Sequence, residues 1–451
     1  MRLGNWALDI DYWTFDSGSA GLGTFTLSSI EIKTQPIKSC AVSVPGSKSF
    51  SHRILIASAL SSGDCTIDNC LQSDDTRFTI QALKQFGVQV VESGEPLVLK
   101  GKSGRFDASD VPIFLGNSGT SMRLLTALAA LGNGTYVLTG TERMQARPLD
   151  DLIDGLGQIG VPAKSVHNNG CPPVEVTGGM VEGGSMRLRC GSSSQYLSAM
   201  LLIAPCTRQG IEITVTEGPV SKPYIDMTIQ VMERFGIQVE RSGHHYFRVE
   251  GGQAYRPGKY TVESDCSQAG YFWAAAAITG TGVKVLGTSP DTLQGDIRLI
   301  SLLESMGCRC IQENDGIRLT GGRLTAIDAD MSDIPDMVPT LAVVSAFAHG
   351  TTWIRNVAHL RVKESDRLAT VADGLIRMGI SAVCTDDGLV VEGGRPHGAA
   401  VDTYDDHRIA MSFAVAGLMV PGVVIRDERC VEKSFPDFWG VFSELYGYRH
   451  S

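Results

Sequence analysis

Phe86-Gly87-Val88-Gln89-Val90 decides the fold: an apolar helix-end residue, a glycine, then residues that alternate as a strand. The pattern returns as Ile159-Gly160-Val161-Pro162-Ala163, Phe235-Gly236-Ile237-Gln238-Val239, Met306-Gly307-Cys308-Arg309-Cys310 and Met378-Gly379-Ile380-Ser381-Ala382. A weaker sixth copy is Tyr446-Gly447-Tyr448, and the successive glycines are 73, 76, 71, 72 and 68 residues apart. A helix that ends and turns into a strand favours positive φ just past its last turn, which glycine adopts cheaply. A second strand follows most copies and also ends in glycine: Val98-Leu99-Lys100-Gly101, Val176-Thr177-Gly178-Gly179, Val249-Glu250-Gly251-Gly252, Leu319-Thr320-Gly321-Gly322 and Val391-Glu392-Gly393-Gly394. The unit is a strand, a turn, a helix, the glycine, a hairpin and a second helix such as 121–131 or 196–204. Repeated at this period it predicts an α/β protein of six units rather than a solenoid. A chain of 451 residues exceeds the ~250–300 that one core usually supports, so two domains of three units are expected. Residues 1–35 do not fit the repeat and are given no function.

Composition narrows the function. No apolar run approaches the ~18 residues of a membrane span, and Met1–Asp11 lacks the basic start and apolar segment of a signal peptide. A net charge of −10 argues against coating nucleic acid. Eleven cysteines without a Cys-x-x-Cys pair argue against a disulfide framework or a zinc site. Free thiols in a cytoplasmic setting are expected.

The chemistry is expected at the turns that open the helices. Pro45-Gly46-Ser47-Lys48-Ser49-Phe50-Ser51-His52-Arg53 breaks a short strand and starts a helix with small hydroxyl residues and two cations. Equivalent turns are Ser73-Asp74-Asp75-Thr76-Arg77, Arg143-Met144-Gln145-Ala146-Arg147-Pro148, Ser221-Lys222-Pro223-Tyr224, Thr292-Leu293-Gln294-Gly295-Asp296, Arg361-Val362-Lys363-Glu364-Ser365-Asp366-Arg367 and Glu432-Lys433-Ser434-Phe435-Pro436-Asp437. A helix N-terminus disfavours cations, so Lys or Arg at five of these six predicts an anionic ligand. One such turn alone reads equally as a solvated surface. Leu115-Gly116-Asn117-Ser118-Gly119-Thr120-Ser121-Met122-Arg123, Cys190-Gly191-Ser192-Ser193-Ser194-Gln195 and Asp405-Asp406-His407-Arg408 add backbone N–H groups, hydroxyls and another arginine. Among the acids, Asp336 and Glu364 stand out. Glu364 lies between Lys363 and Arg367 and is expected to be ionised and able to move a proton, with a plain salt bridge as the competing reading. No Walker A loop, dinucleotide fingerprint, metal-ligand cluster or Ser-His-Asp order is present. The residues alone therefore predict a cationic cleft for a small ligand carrying phosphate and carboxylate, with no metal or organic cofactor and the reaction open.

Five of these stretches, 45–53, 115–123, 361–368, 406–411 and 433–438, resemble in order the signatures of the 5-enolpyruvylshikimate-3-phosphate synthases, a family of enolpyruvyl transferases. The resemblance spans about residues 42–439. It implies two similar domains of three βαβαββ-like units each, an inside-out α/β barrel arrangement, joined by a two-stranded hinge near 45–48 and 263–267. One domain, 47–265, would bind shikimate 3-phosphate and part of phosphoenolpyruvate. The other, 36–46 plus 266–451, would carry the catalytic acids and further cations for phosphoenolpyruvate. By resemblance, Lys48, Asp336 and Glu364 are catalytic. Lys48, Ser49, Arg53, Ser193, Ser194, Gln195, Ser221, Asp336 and Lys363 would hold shikimate 3-phosphate. Lys48, Asn117, Gly119, Arg123, Arg147, Gln195, Arg367, Arg408 and Lys433 would hold phosphoenolpyruvate. The implied reaction moves the enolpyruvyl group to the 5-hydroxyl of shikimate 3-phosphate by addition and elimination in a cytoplasmic monomer, without cofactor, nucleic acid or membrane.

Three positions depart from the family pattern: His359 where many relatives have Asn, Leu124 where many have Pro, and Ser118 where Ala is common. The rival enolpyruvyl transferase that acts on UDP-N-acetylglucosamine usually has Lys-Asn where this chain has Lys48-Ser49. It also carries a reactive Cys where this chain has Glu142. A non-catalytic protein that only binds a phosphorylated ligand is the other alternative.

Overall fold

The glycines that mark the repeat do what their spacing requires. Gly87, Gly160, Gly236, Gly307, Gly379 and Gly447 all have positive φ, between 79° and 111°. The computed structural model describes residues 28–448 except 93 and 95. One unit shows the pattern: strand Ile113–Phe114, helix Gly119–Ala129, strand Thr135–Thr139, helix Asp150–Gln158, then strands Ala163–Ser165 and Val174–Thr177. The first two strands pair in parallel, and the second, fourth and third follow in antiparallel pairing. The unit from Gly184–Arg189 to Tyr246–Val249 repeats this order.

The described residues form six separate sheets, five of four strands and one of three, and no closed hydrogen-bonded barrel. The inside-out character lies in the helices. Lys48–Leu60, Gly119–Ala129 and Gln195–Ile203 are buried along almost their whole length. Cys266–Thr279, Val338–Ser345 and His407–Gly417 are likewise buried. Helices apolar all round belong inside a core, while the strands beside them alternate buried and exposed positions as one-sided sheets do.

Two sheets borrow a strand from across the molecule. Gly258–Thr261 pairs in parallel with Asp64–Asp68, and Cys40–Ser43 pairs in parallel with Gly282–Leu286. The chain thus passes twice between two hydrophobic cores, one built from Phe50 to Val262 and one from Ile32–Val44 residues together with Ala269 to Leu445. The two passages touch. Gly46 bridges Ser264, the Ser47 N–H donates to the Glu263 carbonyl at 2.7 Å, and the Asp265 N–H donates to the Pro45 carbonyl at 2.9 Å.

The three-stranded sheet is completed by Ser29–Glu31, antiparallel to Val424–Arg426. Ile32 follows, 4% exposed, over Gly417, where a Cβ would collide with the Ile32 side chain. Part of the stretch set aside as 1–35 is therefore built into the C-terminal core, and residues 1–27 lie outside the described residues. Short polar alternation such as Ser29-Ile30-Glu31 carries no period of its own, and only the partner strand makes it legible. Among the described residues no helix is long and apolar enough to cross a membrane.

Candidate active site

The buried helices aim their first turns at one cleft between the two cores. Lys48, Ser49, Gly119, Ser193, Ser194 and Gln195 line it from one side, and Asp336, Lys363, Glu364, Arg367 and Arg408 from the other, with Arg147 and Ser221 between them. The empty volume of the cleft is about 600 Å³, part of it open to solvent. Ser47 and Ser118 cap their helices through their side chains, but Ser194 makes no side-chain cap. The Gln195 N–H instead donates to the Ser193 hydroxyl at 3.2 Å, so this helix start offers a ligand the Ser193 and Ser194 side chains that line the cleft.

Cations dominate the walls. Arg147 donates to the Asn117 carbonyl at 3.0 Å and to Asn117 Oδ1 at 3.2 Å, and stands 3.8 Å from Glu364. Arg123 donates to the Gly119 carbonyl at 3.0 Å and to Gln195 Oε1 at 3.3 Å. The Nε of each arginine is buried with no protein partner, a donor that an anion would satisfy. A Cβ at Gly119 would stand 2.5 Å from Arg147 Nη2 and in collision with Arg123 Nη1. Gly119→Ala is expected to raise the KM for the ligand held by these guanidiniums about 10- to 100-fold. Steady-state kinetics with each substrate varied in turn check this, because the partner substrate's KM should change little.

Arg367 organises the opposite wall. Its guanidinium, 1% exposed, donates to Asp336 at 2.8 Å, Glu364 at 2.9 Å and Asp406 at 2.8 Å. Arg408 donates to the second oxygen of Asp336 at 2.7 Å. Burial pushes the Asp336 and Glu364 carboxyls up, but the arginines outweigh it and hold both well below the usual carboxylate range. Burial, then the charge of Arg123, brings the Lys363 ammonium down to about 8.

Lys48 begins its helix with its N–H on Asp265 at 2.8 Å, and its Nζ meets Asp75 at 3.2 Å. Lys433 reaches the other Asp75 oxygen at 2.8 Å, joining the two sides of the cleft. Burial opposes ionisation of Asp75, yet Lys433 and Lys48 draw it down to about 2. Sequence reasoning missed Asp75, because an acid in the first turn of a helix is what capping already predicts.

Arg53 does not face the cavity. Its guanidinium, 1% exposed, is spent on Thr228 at 2.7 Å, the Ser49 carbonyl at 2.9 Å, the Tyr224 carbonyl at 3.0 Å and Ser198 at 3.4 Å. The expected phosphate contact is thus, in this structure, a brace behind Ser49 and Tyr224. Asn117, Arg123 and Lys433 are buried just behind the lining residues. Tyr224, which the sequence marks only as a turn residue, lines the cleft. Of the departures, Ser118 caps its helix, with its hydroxyl 2.7 Å from that of Ser121. Leu124 is 2% exposed in the core, and burial then Lys363 bring His359 down to about 3, leaving a neutral imidazole.

One arginine ties the two sides through backbone alone. Arg143 donates to the Lys363 carbonyl at 2.7 and 3.0 Å, the Glu364 carbonyl at 3.2 Å and the Arg361 carbonyl at 3.2 Å. These bonds fix the turn that carries Glu364. A charge-assisted bond of this kind contributes enough that Arg143→Ala should lower kcat/KM by about 10-fold or more. The loss should persist well below the variant's own thermal midpoint, which kinetics beside differential scanning calorimetry check. Among the described residues, no three His, Cys, Asp or Glu side chains are grouped to hold a metal ion.

The chain is similar to known proteins over most of its length. The family model of EPSP synthase (3-phosphoshikimate 1-carboxyvinyltransferase) matches residues 33–442. A 3-phosphoshikimate 1-carboxyvinyltransferase of Syntrophobacter fumaroxidans is 44% identical over 407 residues, which cover 90% of this chain and 96% of that one. The chloroplastic 3-phosphoshikimate 1-carboxyvinyltransferase of Arabidopsis thaliana is 42% identical, covering 92% of this chain and 84% of its own. Among solved structures, an EPSP synthase from Acinetobacter baumannii superposes with a TM-score of 0.79 at 29% identity, covering 93% of this chain and 98% of that one. The enolpyruvyl transferase NikO from Streptomyces tendae shares the fold, with a TM-score of 0.74 at 21% identity, over 92% of this chain and 96% of its own.

Proposed function

The chain belongs to the EPSP synthase family, and from that premise we propose how its cleft carries out the family's reaction. It transfers the enolpyruvyl group of phosphoenolpyruvate to the 5-hydroxyl of shikimate 3-phosphate and releases phosphate. Two phosphates of about −1.5 to −2 charge each, with two carboxylates, require many cations in one place. Lys48, Arg123, Arg147, Lys363, Arg367, Arg408 and Lys433 supply them against Asp75, Asp336, Glu364 and Asp406. Ser193, Ser194, Gln195 and Ser221 receive the shikimate 3-phosphate, with Lys48, Ser49 and Lys363. Asn117, Gly119, Arg123, Arg147, Arg367, Arg408 and Lys433 receive phosphoenolpyruvate.

Asp336 takes the proton of the 5-hydroxyl as its oxygen attacks C2 of phosphoenolpyruvate. Glu364 with Lys48 delivers a proton to the methylene carbon and removes one when the tetrahedral ketal expels phosphate. The observation that carries this assignment is the Arg367 guanidinium, which holds Asp336 and Glu364 at 2.8 and 2.9 Å on the wall facing the serines. Residues 47–265 and 36–46 plus 266–451 act as two domains hinged where Gly46 meets Ser264. Contacts such as Lys433 with Asp75 join the two domains, and bound ligands favour this closed arrangement. We read the protein as a monomer in a reducing, cytoplasm-like compartment, since one chain supplies both walls and all eleven cysteines are free thiols.

Lys363 gives the binding step a pH dependence. With its pKa lowered to about 8, the ammonium is charged below that pH and neutral above it. Affinity for shikimate 3-phosphate should therefore fall as pH rises through about 8, and Lys363→Met should abolish that slope; isothermal titration calorimetry checks both. The reaction itself is tested by phosphate release from phosphoenolpyruvate with shikimate 3-phosphate or UDP-N-acetylglucosamine as acceptor, with and without EDTA. Release with shikimate 3-phosphate alone, insensitive to EDTA, is expected. Release with the nucleotide sugar, or closure on ligands without turnover, would overturn the assignment.

A further inference from the structure

Behind Asp336 lies a second carboxylate that the reaction as described does not use. Asp296, in the turn Gly295–Arg298, is 3% exposed. Its Oδ2 is 3.3 Å from the Tyr224 hydroxyl, and the same hydroxyl is 3.2 Å from Asp336 Oδ2. Ser267 also donates to Asp296 Oδ2, and Asp296 Oδ1 is buried with no partner. One phenol carries one proton and can donate to only one carboxylate at a time. Two ionised acids around it would leave one oxygen facing a lone pair, so the arrangement is satisfied only when a further proton is shared along the row. We propose that Asp296 is the store for the proton that Asp336 takes from the acceptor hydroxyl, reached through Tyr224.

This rests on the reading of Asp336 as the group that meets the 5-hydroxyl. Both oxygens of Asp336 are held by guanidiniums, Oδ1 by Arg367 and Oδ2 by Arg408, which makes it a poor resting place for a proton. The groups facing Asp296 are Tyr224 from the helix Pro223–Arg234, Ser267 and Asp265 from the start of Cys266–Thr279, Asp336, and Arg408 from His407–Gly417. Burial, then the charge of Asp336, outweighs Arg408 and Ser267 and pushes the Asp296 carboxyl up to about 7. The balance of the step is simple. The alcohol oxygen uses a lone pair to bond C2 of phosphoenolpyruvate, the C2=C3 π pair takes a proton at the methylene carbon from Glu364 with Lys48, and the alcohol's own proton goes to Asp336. Tyr224 passes its own proton to ionised Asp296 and takes the one on Asp336. Between turnovers the proton goes back along the same row, from Asp296 through Tyr224 to Asp336 and on to the departing phosphate in the cleft, so no oxidant, reductant or further reactant is needed. Asp296 does not touch the substrate and acts through Tyr224.

The test is the pH dependence of kcat from about pH 5 to about pH 9 for wild type, Asp296→Asn and Asp336→Asn, with both KM values measured at each pH. Wild-type kcat should rise through about pH 7, because Asp296 must be ionised to accept. Asp296→Asn keeps the shape but cannot take a proton; its kcat should fall about 10-fold or more, the limb near pH 7 should vanish, and both KM values should stay within about twofold. A merely structural role would move the KM values or the thermal midpoint and leave the limb in place. If Asp296→Asn does not fold, Tyr224→Phe reports on the same limb. An Asp296→Asn or Tyr224→Phe profile with the wild-type limb, beside an inactive Asp336→Asn, overturns the store alone. An active Asp336→Asn overturns the Asp336 reading and the store with it.

Discussion

Glu364→Gln should lower turnover by about 10²- to 10⁴-fold, the usual contribution of a positioned acid–base group, while the enzyme stays folded and still binds shikimate 3-phosphate. The amide has the same size, and its oxygen still accepts from Arg367, now 2.9 Å from the carboxylate. What it cannot do is carry a proton. Arg367 and Arg147 keep Glu364 ionised in the free protein, so it is ready to remove a proton from the methyl group of the ketal. Protonating the methylene carbon first requires a proton passed from Lys48 or drawn in as the ligands enter. Both halves of the reaction pass through this group, so kcat and kcat/KM should fall together. Single-turnover quench measurements, with binding followed separately, check this. Near-normal turnover would remove Glu364 from the proton path.

Arg367→Met should destabilise the C-terminal core by about 3–5 kcal/mol, the range seen when one partner of a buried charge cluster is removed. The guanidinium compensates Asp336, Glu364 and Asp406 together, and Asp406 is wholly buried. Arg408 remains for Asp336, but nothing of equal reach replaces the bond to Asp406. The sign of the pH dependence follows. In the wild type, Asp336 and Glu364 have folded pKa values below their unfolded ones. The stability they add is present above the ordinary carboxylate range and lost as pH falls through their folded values. Arg367→Met removes much of that contribution, so its deficit should be full at neutral pH and shrink under acid conditions. Arg367→Lys keeps the charge but not the fork, and should fall between. Urea unfolding at several pH values, followed by the buried Trp273 of the same core, checks both.

Much of the architecture was legible because backbone constraint shows in residue type. A glycine forced to positive φ after each helix recurs at a countable interval, and cations at helix starts oppose the dipole and so announce a ligand. Pairing across distance was not legible. Asp75 and Lys433 are 358 residues apart, and neither local turn says that one carboxylate will bridge two ammoniums. Arg53 shares a turn with Lys48, yet one further helical turn points it at Thr228 and Ser198 instead of the cleft. Tyr224, Arg143 and Asp296 all stood inside quoted turns, and an ordinary tyrosine, arginine or aspartate in a turn carries no mark of what lies opposite. The residues of Cys40–Ser43 and Gly258–Thr261 do not by themselves name Gly282–Leu286 and Asp64–Asp68 as their partners: a four-residue strand shows its face but not its partner, and only the family resemblance placed 36–46 with the C-terminal half.

The most direct measurement is one turnover with phosphoenolpyruvate labelled with carbon-13 at C2, mixed with excess enzyme and shikimate 3-phosphate, quenched and read by carbon NMR. The expected result is a vinyl-ether carbon attached to the 5-oxygen of shikimate 3-phosphate, with one phosphate released per ether formed. Label found only in pyruvate or unreacted phosphoenolpyruvate, with the shikimate 3-phosphate unchanged, would contradict enolpyruvyl transfer in this cleft.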